Sequence, residues 1–268
     1  MKPSSSAALA LLVSSSALAT PSTTVWAPST TYIQPYLTPH LTYDSYFNKP
    51  SGYPLTTGLT MGILPWENLQ AEIGFDLMLP TPTPFMLNAK VGVPEDKIAG
   101  WFPGLAVGAY NVMTRFDNPS TDLYNIVYGQ LQHAVLGGFV SVGGYYALGT
   151  KLDGVDRAGL IAGAGSPDIP VNAPWLQKIT LSADVQTGQN SFGAVAGAVT
   201  FAFTDRISIL TGPVYFLDSS LQPGGNKVFW TIQLDIDMPL RTPPAATPAQ
   251  PAAAEEAKPA APAPVATK

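Results

Sequence analysis

Between residues 69 and 79 the chain alternates almost without fault. Leu69, Ala71, Ile73, Phe75, Leu77 and Leu79 fall on one side, while Gln70, Glu72, Gly74, Asp76 and Met78 fall on the other. A repeat of two is the strand repeat, so one face of this segment is apolar and the other carries two carboxylates. The pattern returns at 85–93, 179–185 and 228–238, with no clear helical stretch between. Alternation bounded by turn residues predicts about twelve strands. They fall at 40–47, 57–64, 69–79, 85–93, 105–115, 123–132, 139–148, 158–164, 179–186, 192–203, 207–217 and 228–238. The breaks carry turn chemistry, as in Pro80-Thr81-Pro82-Thr83-Pro84, Thr187-Gly188-Gln189-Asn190 and Gln222-Pro223-Gly224-Gly225-Asn226. Pro213 sits inside a strand pattern instead, which predicts a bulge or a strand end there.

The two ends stand apart from this pattern. Met1-Lys2, the apolar run 7–13 and Ala17-Leu18-Ala19 supply the three regions of a secretory signal peptide, residues 1–19. Residues 20–31 are rich in Ser, Thr and Pro and read as a periplasmic lead-in. Residues 241–268 are almost entirely Pro, Ala, Thr, Glu and Lys. Without large apolar side chains to offset chain entropy, that segment is expected to be a disordered periplasmic tail. One all-β domain is left, residues 32–240.

Composition says where such a domain resides. Charged residues make up 12% of the chain, about half the usual share of ~25% in a soluble domain. Beyond the signal, no apolar run approaches the ~18 residues of a membrane helix. A secreted chain of alternating strands with little charge is therefore read as a closed antiparallel transmembrane β-barrel with short turns, lipid outside and a polar lumen inside. An even strand number puts both chain ends on one side, the periplasmic side. Trp66, Trp101 and Trp175 then fall in inner turns, with Trp26 just before the first strand on the same side. Tyr46, Phe47, Tyr53, Phe216, Phe229 and Trp230 fall toward the outer rim, giving two aromatic belts. Against the usual barrel pattern, two inner connections are longer than the outer ones. The chain has no cysteine, as secreted domains without disulfides do. Its net charge of −5 argues against nucleic acid as a partner.

The clean strands assign a lumen face. It carries Asp44, Glu72, Asp76, Asn88, Lys90, Lys178, Asp184, Gln233, Asp235 and Asp237, alongside His40, Thr180, Ser182, Gln186 and Thr231. Acidic groups outnumber the two lysines about three to one, and a low-dielectric wall focuses such a potential in favour of cations. Glu72 and Asp76 face Asn88 and Lys90 on the adjoining strand and are candidate cross-strand pairs. The Gly/Ala-rich strands at 158–165 and 192–198 leave room inside. Catalysis has little support. There are two histidines, His40 and His133, and no G-x-S-x-G, HExxH, Cys/His cluster or acidic calcium loop. No enzymatic activity, metal or cofactor is expected.

From Ala17-Leu18-Ala19 to the strand at 228–238, the arrangement resembles the small Gram-negative outer-membrane β-barrels, which are porin-like in architecture. Gly58-Leu59-Thr60-Met61-Gly62-Ile63-Leu64-Pro65 and Asn125-Ile126-Val127-Tyr128-Gly129 are similar to stretches of bacterial barrel proteins. The resemblance implies the bacterial outer membrane, lipid around the wall and delivery by the outer-membrane assembly machinery. It departs at Met238-Pro239-Leu240, where such barrels usually end in an aromatic residue that the machinery recognises. No connection is long enough to make an obvious plug, so the expectation is a passive, cation-preferring channel for small hydrophilic solutes. The alternative is a structural barrel with a filled lumen, whose tail contacts periplasmic partners.

Overall fold

The computed structural model describes residues 24–48, 55–79, 85–112, 124–149, 152 and 154–240. The signal peptide, the tail, Tyr53 and the prolines at 80–84 lie outside the described residues. Thirteen strands follow in order: β1 (Pro39–Phe47), β2 (Leu55–Gly62), β3 (Gln70–Leu79), β4 (Phe85–Val93), β5 (Gly104–Val112), β6 (Ile126–Val135), β7 (Gly138–Ala147), β8 (Ala158–Gly165), β9 (Ile169–Ala173), β10 (Leu176–Gln186), β11 (Ala194–Ala202), β12 (Ile207–Phe216) and β13 (Val228–Asp237). Every strand except β9 takes a place in one antiparallel ring. The ring closes where β1 meets β13, in continuous register from His40↔Asp237 to Phe47↔Trp230. Closure leaves the wall without a free edge.

All twelve expected strands are present, and 85–93 coincides with β4 residue for residue. The added strand, β9, lies within an expected turn. It pairs with the start of β10 to form a hairpin at the end of the barrel where β1 begins and β13 finishes. Pro170 breaks its alternation, and an edge strand tolerates that proline. Pro213 neither ends β12 nor bulges it. It pairs with Trp230 in unbroken register on one side. On the other side only the bridges at Gly197 and Ala198 drop out, and the register resumes unchanged beyond them.

Apolar side chains face outward around the ring, among them Ile73, Leu77, Leu87, Val107, Val142, Leu160, Leu181, Val195 and Ile232. The interior is not uniformly polar as expected. Ala194, Ala196, Ala198, Leu210, Val214, Phe216 and Phe229 form one buried apolar cluster, and Ile126, Tyr128, Tyr145, Ala147 and Ile161 anchor another. Tyr46, Phe216 and Phe229, expected in an outer belt, belong to or pack against the first of these clusters. Val25 completes it, and Ala27 completes the second.

That packing corrects the reading of the lead-in. Residues 24–38 do not precede the barrel; they run inside it as a strap. Tyr36 bridges Gly62 at the end of β2, and Leu37 N–H donates to the Gly62 carbonyl at 2.9 Å. Leu37 adopts φ 55°, a left-handed turn that a β-carbon resists, and this turn delivers the strap into β1. The room expected beside the alanines of β11 exists, but Val25 occupies it.

Candidate functional site

The strap is held chiefly through its backbone. Asp184, on the inner face of β10 and only 3% exposed, turns one carboxylate oxygen toward three successive N–H groups. Val25, Trp26 and Ala27 donate to Oδ2 at 2.6, 2.9 and 3.2 Å. Three donors converging on one anionic oxygen make strong, charge-assisted bonds. From β13, Gln233 Nε2 donates to the Val25 carbonyl at 2.7 Å. Ser141 on β7 donates to the Ser29 carbonyl. On β6, Gln132 Oε1 accepts from the Thr30 hydroxyl at 3.0 Å and from Thr31 N–H at 3.1 Å. Glu72 on β3 divides its carboxylate: Oε2 accepts Gln34 N–H at 2.7 Å, and Oε1 lies 3.3 Å from Lys90 Nζ.

Glycines make the strap's path. A β-carbon at Gly62 would drive into the Gln34 and Pro35 carbonyls, and one at Gly163 into Ser29. At Gly104 it would stand 2.9 Å from Thr31 Oγ1. Toward the other end, Trp26 stands edge-on to Tyr46 and Phe216, with ring centres 5.4 and 4.9 Å apart. Its Nε1 donates to the Phe192 carbonyl at 2.8 Å. Trp26 is thus an interior anchor rather than a rim residue.

The expected lumen residues divide into groups. Asp235 and Asp237 flank His40, with Oδ1 atoms 3.4 Å from Nε2 and 2.9 Å from Nδ1. Both imidazole nitrogens thus face carboxylates, and no described serine is bonded to the ring. Asp76 accepts a hydrogen bond from Asn88, whose own Oδ1 takes Asn111 N–H at 3.0 Å. The Asp76 carboxylate lies over Gly58, close to Thr42 Oγ1, in space that a β-carbon would fill. Asp44 is the inward residue two positions beyond Thr42. Lys178 departs from the expected lumen: it pairs with Asp168 at 2.7 Å in the β9–β10 hairpin. The interior therefore holds Asp44, Glu72, Asp76, Asp184, Asp235 and Asp237 against Lys90 and His40, with His40 standing where Lys178 was counted.

Trp66, Trp101 and Trp175 are exposed in connections at the end where β1 begins and β13 finishes. Trp230 faces outward on β13, where its Nε1 donates to Thr211 Oγ1 at 2.7 Å. Against the β1–β5 wall the strap leaves a cavity of about 130 Å³. No group of three or more His, Cys, Asp or Glu suited to a metal occurs among the described residues.

Alternation gave the inward-facing residues but no trace of what they hold. A segment fixed by its main chain needs no side-chain period, so the strap's sequence carries none. The available signal was indirect: glycines at inward positions of Gly62, Gly104 and Gly163, beside the apolar pair Val25-Trp26.

These features define a closed β-barrel with an acidic interior, strapped by its own N-terminal segment. No protein-family profile and no curated protein sequence matches the chain. Solved structures similar to it include one from work on the in-meso crystallisation of membrane proteins, at 12% identity, covering 76% of this chain and 84% of that one with a TM-score of 0.46. Another is outer membrane phospholipase A from Escherichia coli, also at 12% identity, covering 76% of this chain and 93% of that one with a TM-score of 0.42. At such identity no residue role carries across.

Proposed function

We propose that this chain is a bacterial outer-membrane barrel that rests closed and conducts small cations when its strap leaves the lumen. The strap itself is the observation that carries this reading, because it fills the path that a passive channel needs. The outward apolar face supports a lipid surround, since exposed patches of that extent mark membrane contact. The six interior carboxylates support cation preference. Independence of wall and strap supports displacement: the ring's ladder closes without any strap residue, and the strap's bridge from Tyr36 to Gly62 lies at its mounting, so withdrawing residues 24–33 breaks no described strand pairing. Lipid and the assembly machinery are the partners this reading requires, and the tail at 241–268 would face the periplasm.

The chain's lack of cysteine gives a direct test. The contact between Gly104 and Thr31 suits an engineered disulfide. With both positions changed to cysteine, the oxidised protein in a planar bilayer is expected to stay silent. Reduction should restore openings, and deletion of residues 24–33 should leave the barrel open with reversal potentials favouring cations. A strap-deleted barrel that folds but passes no current would leave the filled structural barrel as the function. Anion-favouring reversal potentials would remove the role given to the carboxylates.

A further inference from the structure

The cavity beside the strap is unequal in its charges. Asp44 and Asp76 line it, as do Asn88, Lys90 and Glu72. Lys90 is engaged with Glu72, and Asn88 is neutral, so neither Asp44 nor Asp76 faces a free cation across the cavity. Asp44 Oδ1 is enclosed and has no hydrogen-bond partner. His40 acts on Asp44 from outside the cavity but is itself held between Asp235 and Asp237, so the two carboxylates are short of counter-charge, which is costly in a protein interior. Five rings also line it, Trp26, Tyr46, Tyr110, Tyr128 and Phe192, with threonine, methionine and alanine side chains between them. Trp26 and Tyr46 meet edge-on at 5.4 Å, and Tyr110 and Tyr128 do so at 5.8 Å. Tyr128 is 7% exposed and lines the cavity.

We propose that this half of the lumen binds a small organic cation. Asp44 and Asp76 supply the counter-charge, and the rings of Trp26, Tyr46 and Tyr110 supply the cage. Ring faces attract a cation through their quadrupole, most strongly where water is excluded. A bare metal ion fits less well, because no described cluster offers three carboxylate or imidazole ligands. Size sets the ligand's bulk: a cavity of about 150 Å³ admits benzene, and this one measures about 130 Å³. A cation of about five heavy atoms, such as tetramethylammonium, matches it.

Binding is independent of conduction, so the test does not depend on the strap's movement. The full chain in detergent micelles is titrated with tetramethylammonium chloride by calorimetry. Sodium chloride at equal ionic strength and tert-butanol, a neutral molecule of similar size, serve as controls. Saturable binding is expected for tetramethylammonium alone. Asp44→Asn should weaken it about tenfold or more, the equivalent of one lost ionic contact. Asp76→Asn and Tyr110→Leu should each weaken it as well, and they keep the test decisive if the first variant does not fold. Heat-modifiable migration in gels reports folding of each variant. Binding no stronger than that of sodium, or unchanged in the folded variants, would overturn the proposal and mark the cavity as water-filled space.

Discussion

Lys90 and Lys178 share a residue type and an inward register, yet their surroundings set them apart. Lys90 is 3% exposed and paired with Glu72 inside the barrel. Replacing it with alanine would strand a buried carboxylate, at a cost of about 3–5 kcal/mol. The Lys178–Asp168 pair stands at the exposed hairpin, and losing it should cost about 0–1 kcal/mol. Urea midpoints of the folded barrel should therefore drop clearly for Lys90→Ala and barely move for Lys178→Ala. Equal shifts would contradict the placement of the two lysines. The sequence distinguishes the inward register of both but not this difference. Alternation reports the face of a residue, whereas its height along the barrel depends on how far β10 runs past β8, which the short strand β9 conceals.

At the scale of elements, the wall was legible because each strand satisfies several local rules together: period, turn residues and strand length. The strap obeys none of them. Its backbone groups bond to side chains of β3, β6, β7, β10 and β13, so it needs neither alternation nor a ladder. Its requirement is written on the strands it crosses, as inward glycines. Gly62→Ala should therefore act on the strap more than on the wall. The added β-carbon meets main-chain carbonyls of Gln34 and Pro35, which cannot swing aside as a side chain can. Bilayer recordings should show more frequent openings, with heat-modifiable migration unchanged. Gly129→Ala is the control, because its β-carbon would meet nothing nearer than Val107 Cγ1 at 3.7 Å. Openings raised equally by both substitutions would show that the effect does not arise at the strap.

Across the whole molecule, the five tryptophans report on where lipid lies. Trp66, Trp101, Trp175 and Trp230 face out, while Trp26 is enclosed by the wall. In variants that each retain one tryptophan, lipids brominated near the headgroup should quench the four outer residues and leave Trp26 bright. Strong quenching of Trp26 would mean that the segment lies outside the barrel. The strap also has a direction, fixed by how it is attached. It joins the wall through the turn at Leu37, at the end where β1 begins and β13 finishes, and its N-terminal extremity rests at the opposite end, with Trp26 against Tyr46 and Phe216. In the proposed channel, a tongue mounted this way would act as a check valve. A push from the aromatic end would drive it toward its mounting and out of the bore, while a push from the mounted end would seat it harder against the rings.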